Sequence, residues 1–249
     1  PVIVQVSKNA LIYADKGLLA EMVKWFAEKK YPDLPVALHL DHGPDLSTIK
    51  ECVEIGFTSV MIDGSYKEID GKKIPTSLAE NIAITKPVVD YARQFGLTAE
   101  AEIGCLGGVE DGAGASIIKY TNPTEAVKFW QACQFDSLAL AIGTSHGAYK
   151  FKQEPKLALD VIDQCRALLP QVFFVMHGSS SVPPELVNEI NKYGGKVEDA
   201  KGVPDQMKQE FIKRAGGPKI NIDTDGRLAA TAAIRRIFFE QPAEFDPRK

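Results

Sequence analysis

The chain has 249 residues, 45% of them apolar and 25% charged, with a formal net charge of −4. That length and apolar share suffice for one large α/β domain. The charge balance gives no general attraction to nucleic acid or to an anionic membrane, and no apolar run approaches the roughly 20 residues of a membrane span.

Pro1 opens directly into the strand-like run Val2–Val6, so the chain is expected to be a fragment or a processed product. Leu18, Leu19, Met22, Val23 and Phe26 then follow helical spacing behind a cap at Asp15. The apolar run Val36–Asp41 ends beside His42 and precedes a helical pattern over Leu46–Ile55. Ser59–Asp63 is the next strand, and the polar, lysine-rich Tyr66–Ser77 reads as a solvated insertion. A helix over Ile82–Phe95 leads to the strand Thr98–Gly104, which contains Glu102. Cys105–Asn122 places Gly107, Gly108, Gly112 and Gly114 around Glu110 and Asp111. It reads equally as a surface loop and as a segment that closes over a site. The pattern continues with helix Pro123–Cys133, strand Ser137–Gly143, helix Leu157–Leu168, strand Val172–His177, helix Pro184–Tyr193, strand Lys219–Asp223 and helix Gly226–Phe239. The strands are short and almost continuously apolar, as strands covered on both faces are.

Strand-then-helix units in series call for a parallel sheet with right-handed crossovers. Polar and ionisable residues gather at the C-terminal ends of six or more strands: Ser7, Asp41 and His42, Asp63, Glu102, His146, His177 and Asp223. In a barrel those ends converge on one mouth, whereas in a doubly wound sheet they spread along a line. The expected architecture is therefore a (β/α)8 TIM barrel, one domain over residues 1–249, lacking its first βα unit. Cys52, Cys105, Cys133 and Cys165 are widely spaced and read as reduced packing thiols of a cytoplasmic protein.

Histidine occurs only four times. A single histidine is most often a hydrogen-bonded core or surface residue. His42, His146 and His177 recur at strand exits, which weakens that view and points to a catalytic zinc site with an open position. Co²⁺ or Fe²⁺ would suit the same ligands. His39 lies inside its strand, out of step with His42, and is assigned a structural role. Glu102 and Asp63 can hold a second metal position or support the first. Asp41 neighbours a ligand but points elsewhere along the strand, which makes it a candidate proton carrier.

Small residues follow the histidines: Gly147 after His146, and Gly178, Ser179, Ser180 and Ser181 after His177. With Asp223-Thr224-Asp225 at the start of the last helix, they can cradle a phosphate. Zinc beside a phosphate site suits proton abstraction next to a carbonyl. Schiff-base chemistry would need a lysine in the mouth. Lys219 begins a strand and Lys150 lies in a loop, so the metal route is preferred.

HLDHG, GFTSVMIDGS, AEIGCLGG, AIGTSHGAYKF, MHGSSSVP and KINIDTD occur in that order. Together they closely resemble the class II, metal-dependent fructose-bisphosphate aldolases, from Pro1 to Lys249. YPDLPVALHLDHG and MIDGSYKEIDGKKIP look most like the Calvin-cycle subtype, which is associated with sedoheptulose as well as fructose bisphosphate. The resemblance implies zinc on His42, His146 and His177, with Asp63 and Glu102 at an alternate or second metal position. It makes Asp41 the proton donor to the aldehyde oxygen and Glu110 the mobile-loop glutamate that moves the dihydroxyacetone phosphate proton. Gly147, Gly178, Ser179, Ser180, Asn221, Ile222, Asp223 and Thr224 match the dihydroxyacetone phosphate site, and Ser7 the serine that meets glyceraldehyde 3-phosphate. A monovalent cation, Na⁺ or K⁺, near the phosphate and a homodimer or larger assembly are also implied. So is a barrel without the family's first strand and helix and without its C-terminal helical region. The expected reaction is reversible cleavage of fructose 1,6-bisphosphate, in glycolysis, gluconeogenesis or the Calvin cycle. The alternatives are a tagatose- or sedoheptulose-bisphosphate aldolase and an inactive aldolase-like subunit.

Overall fold

In the computed structural model, residues 1–69, 72–104, 107–110, 113–115, 119–146 and 157–248 are described, with backbone alone at 107–110, 113–115 and 146. Strand β1 (Val2–Ser7) leads through α1 (Lys8–Ala14), α2 (Lys16–Trp25) and a π-helical turn at Phe26–Lys30 to β2 (Val36–Gly43). Helix α3 (Leu46–Glu54) and β3 (Ser59–Ile62) follow, then the strands β4 (Tyr66–Ile69) and β5 (Lys72–Pro75), α4 (Leu78–Gln94) and β6 (Thr98–Ile103). Next come the short β7 (Gly107–Glu110) and β8 (Ala113–Ala115), α5 (Pro123–Cys133), β9 (Ser137–Leu140) and β10 (Ser145–His146). The chain continues with α6 (Leu159–Leu168), β11 (Phe173–Met176), α7 (Pro184–Lys192), α8 (Asp205–Ala215), β12 (Lys219–Ile220) and α9 (Thr224–Glu240).

Seven strands form a parallel sheet in the order β1-β2-β3-β6-β9-β11-β12. The sheet curls strongly. Lys219 of β12 reaches within 3.3 Å of His39 in β2. In a flat sheet the five steps between these strands would span about 24 Å, at about 4.8 Å each. The curl gives the sheet an α/β-barrel-like form with an inside and an outside.

Strand alternation sorts residues between the two faces. Leu38, Leu40, Val60, Ile62, Ala99, Ala101, Leu138, Leu140, Phe174 and Met176 belong to the main apolar cluster, which also takes in Ile49, Val88, Phe129 and Ile162 from the helices. The intervening His39, Glu100 and Glu102 are buried on the other face. Burying such polar groups is tolerable only when they are hydrogen-bonded or charge-paired.

The helices start where local chemistry says they should. The Asp15 side chain accepts from the Leu18 N–H at 3.0 Å, and Ser77 and Glu80 form a capping box on α4. Asn122 caps α5, with Pro123 in its first turn. Helix α8 has no counterpart in the periodicity. Only Met207, Phe211 and Ala215 of DQMKQEFIKRA meet the core, a stripe too narrow to stand out from its charges. The segment read as a solvated insertion forms the antiparallel β4–β5 hairpin. It belongs to a second sheet, in the order β10-β7-β8-β5-β4.

Candidate metal centre

Strict alternation would send Asp41 and His42 to opposite faces of β2. Instead the β2–β3 register shifts between Leu40 and Gly43, and His42 adopts a positive φ of 48°. A bulge of this kind re-aims a side chain at a strand end. A carboxylate oxygen of Asp41 and ring nitrogens of His42 and His177 consequently lie within 4.8 Å of one another. His42, Asp63 and Glu102 form a second such trio. The expectation that Asp41 points away from its neighbour is thus corrected by the bulge.

His42 Nε2 and His177 Nδ1 are 2.8 Å apart, with the rings nearly perpendicular at 87°. That is hydrogen-bond contact, and two nitrogens on one tetrahedral zinc stand about 3.3 Å apart, so a small separation of the rings would admit an ion between them. The outer nitrogens meet carboxylates. His42 Nδ1 is 2.9 Å from Asp63 Oδ2, and His177 Nε2 is 2.8 Å from Glu100 Oε1. A ring hydrogen directed outward leaves the inner lone pair for a metal.

Each carboxylate is itself tied down. Asp63 Oδ1 accepts from the Ser65 backbone at 3.0 Å and its hydroxyl at 2.6 Å. Glu100 Oε2 accepts from Lys219 Nζ at 3.0 Å. Burial alone would raise the pKa of both groups. The Lys219 ammonium and the His177 bond reverse this for Glu100, and the His42 bond does so for Asp63, so both lie below the usual carboxylate range. Asp41 is also lowered: burial opposes ionisation, and the His42, His177 and Lys219 charges outweigh it. Burial, with Lys219 nearby, pushes the His39 imidazole down to about 4.

The residues present fit a metal ion. Asp41 Oδ2 accepts from Gln5 Nε2 at 3.3 Å, while the buried Asp41 Oδ1 has no hydrogen-bond partner among the described residues. Glu102 is buried with Oε2 3.9 Å from His177 Nδ1, and its backbone carbonyl accepts from Asn81 of α4 at 2.9 Å. Ser145 abuts Gly178, where an added Cβ would stand 2.4 Å from the Ser145 carbonyl oxygen. With its φ of 60° as well, position 178 takes only glycine without strain. This close approach sets the backbone of His146 beside that of His177. The side chains of His146 and Glu110, and the whole of Gly147, lie outside the described residues. In backbone register, His146 pairs with Gly108 of β7, the strand that ends in Glu110.

The expected phosphate residues are adjacent. The Ser179 N–H donates to the Asn221 carbonyl at 3.3 Å. Ser180 Oγ accepts from the N–H groups of Asp223 at 3.2 Å and Thr224 at 3.1 Å, where α9 begins. The Asp225 carboxylate accepts from Ser181 and Val182 N–H, locking the turn to that helix. Both side-chain polar atoms of Asn221 are buried without a partner among the described residues. Ile222 is exposed, and Asp223 accepts from Arg227 Nε at 2.8 Å. Ser7 caps α1 and pairs in register with Asp41.

The profile of the fructose-bisphosphate aldolase class-II family matches residues 1–249. The chain belongs to that family. A fructose-bisphosphate aldolase of Giardia intestinalis is 46% identical over 250 residues, covering 100% of this chain and 73% of the relative. One from Nostoc sp. is 44% identical over 263 residues, covering 100% of this chain and 72% of the relative. Among solved structures, the YdjI aldolase from Escherichia coli superposes with a TM-score of 0.70 at 27% identity, covering 98% of this chain and 73% of that one. The class II aldolases are metal-dependent, in keeping with the convergent histidine and carboxylate groups.

Glu100 and His39, both buried, and the half-buried Lys219 of this class II aldolase were not anticipated as part of the candidate centre. Glu100 lies two positions before Glu102 in TAEAEIG, so period-two alternation could have put both on one face. Lys219 was set aside because it begins a strand; β12 has only two residues, and a lysine side chain outreaches it. His39 has the structural hydrogen bonds expected of it, 2.8 Å to Ser59 Oγ and 3.3 Å to Lys219 Nζ. No helix among the described residues is long and apolar enough to cross a membrane.

Proposed function

We propose that this chain catalyses the reversible, zinc-dependent aldol cleavage of fructose 1,6-bisphosphate to dihydroxyacetone phosphate and glyceraldehyde 3-phosphate. The observation that carries this reading is the convergence of His42 Nε2 and His177 Nδ1, each ring held from behind by a buried carboxylate. His42, His146 and His177 would hold the ion. Bound zinc supplies Lewis-acid polarisation of the substrate carbonyl. Asp63 and Glu102 would offer an alternate metal position, a reading supported by their close grouping with His42.

In cleavage, Asp41 takes the proton of the C4 hydroxyl as the C3–C4 bond breaks, and its Oδ1 is the acceptor with no other partner among the described residues. Glu110 then returns a proton to the carbon of the dihydroxyacetone phosphate half. Gly147, Gly178, Ser179 and Ser180, with Asn221, Ile222, Asp223 and Thr224, bind that half, and a monovalent cation there would offset phosphate charge. The start of α9 favours the anion. Ser7, on the neighbouring strand exit, meets the glyceraldehyde 3-phosphate end. The sheet fits seven strands of a (β/α)8 barrel in one domain over 1–249, since β1 and β12 each pair on one side only among the described residues.

The test compares kcat/KM for fructose 1,6-, tagatose 1,6- and sedoheptulose 1,7-bisphosphates, before and after EDTA. The expected result is preference for fructose bisphosphate, with cleavage lost in EDTA and restored by zinc. Cleavage that persists in EDTA overturns the metal mechanism. Preference for another sugar replaces the substrate, and absence of both zinc and turnover leaves an inactive subunit.

A further inference from the structure

Lys219 has no part in the reaction just described, yet it sits inside the curled sheet. Its side chain is 11% exposed, and Glu100 beside it is 1% exposed. Lys219 Nζ donates to Glu100 Oε2 at 3.0 Å and lies 3.3 Å from His39 Nε2. His39 Nδ1 is 2.8 Å from Ser59 Oγ, which accepts from Thr98 Oγ1 at 2.9 Å. The other end of Glu100 meets His177 Nε2 at 2.8 Å. The contacts thus run from Thr98 of β6 through β3, β2 and β12 back to Glu100 of β6, and from there to a candidate ligand just after β11.

A buried ion pair is weak evidence of stability, because desolvation offsets much of its attraction. It does fix geometry. Glu100 has two oxygens, one taken by Lys219 and one by His177, so its carboxylate plane has little freedom. The parallel with His42 is close. There the far oxygen of Asp63 is held by Ser65, a residue of the same loop. For His177 the anchor comes instead from β12, two residues before Asn221.

We propose that Lys219 is a positioning residue for the metal centre: by clamping Glu100 Oε2 it sets Glu100 Oε1 on His177 Nε2, which keeps the ring hydrogen there and turns Nδ1 to the ion. This rests on the reading of His177 as a metal ligand. An uncharged isostere exposes the logic. In Glu100→Gln the amide has one oxygen for two donors. If Lys219 captures it, the amide nitrogen faces His177 and forces the ring hydrogen onto Nδ1, the wrong side. Adding Lys219→Met frees that oxygen for His177.

The test measures zinc affinity by chelator competition and the visible spectrum of the Co²⁺-substituted protein. The variants are Glu100→Gln, the double variant Glu100→Gln/Lys219→Met, Lys219→Met and His177→Ala. Glu100→Gln and Lys219→Met should each weaken zinc about 10–100-fold, the usual cost of losing a partner behind a metal ligand, and shift the Co²⁺ bands. The double variant should bind zinc more tightly than Glu100→Gln, a coupling that a purely structural role does not produce. Wild-type affinity and Co²⁺ bands in folded Glu100→Gln and Lys219→Met overturn the proposal, even where His177→Ala loses zinc. If His177→Ala keeps wild-type affinity, the ligand reading itself falls. Should Lys219→Met fail to fold, Glu100→Gln against the double variant decides: equal affinities overturn the positioning role.

Discussion

His42 Nε2 and His177 Nδ1 stand 2.8 Å apart across 135 residues of sequence, with each outer nitrogen on a different buried carboxylate. Two imidazoles so braced can turn lone pairs to one ion with little reorganisation.

Removing either ring should remove the metal. His42→Ala is expected to lose stoichiometric zinc and aldol cleavage together, read by metal analysis of the purified protein and a coupled assay. Retention of zinc with loss of cleavage would take His42 out of the ligand set.

Asp41→Ala should separate the two properties. It removes the proposed proton acceptor and leaves both rings, so zinc should remain while kcat falls about 10²–10⁴-fold. Single-turnover cleavage at saturating substrate checks this, and normal turnover would remove Asp41 from the chemistry.

Gly178→Ala should disturb the join between the turns that carry His146 and His177. The new Cβ would stand 2.4 Å from the Ser145 carbonyl oxygen, on a backbone with φ of 60°. The strain is worth about 1–3 kcal/mol. A lower unfolding midpoint with weaker zinc binding is expected; an unchanged midpoint would show that the turn can move aside.

A pH effect on stability should arise at Glu80, in the first turn of the helix whose Asn81 holds the Glu102 carbonyl. The Ser77 N–H, then Lys67 and the Ser77 hydroxyl, lower its pKa from 4.5 to about 2. A folded value below the unfolded one gives stability that is present above the unfolded pKa and lost as pH falls through the folded one. The stability difference between the parent protein and Glu80→Gln should therefore shrink between 4.5 and about 2. Denaturant titrations across that range measure it; a constant difference would assign the effect of Glu80 to packing.

Much of the fold was legible because its signals are local. Apolar runs and helical spacing mark the seven main strands and most helices, since both periods are properties of neighbouring residues. The hairpin at Tyr66–Pro75 was not legible. It gains its role from pairing with β8, a contact that nothing in its own polar sequence announces. Helix α8 was hidden by its charges.

The sequence by itself determined the order of the strand-and-helix units, the histidines at strand exits and the motifs that mark a class II aldolase. Only the tertiary structure decided which way those side chains face. A bulge turns His42 beside Asp41, and curling of the sheet brings Glu100 to His177 across 77 residues and Lys219 to Glu100 across 119. The reason is physical. Residue type and period act within a few positions, whereas register and curvature come from pairing distant strands, and the candidate metal centre depends on both.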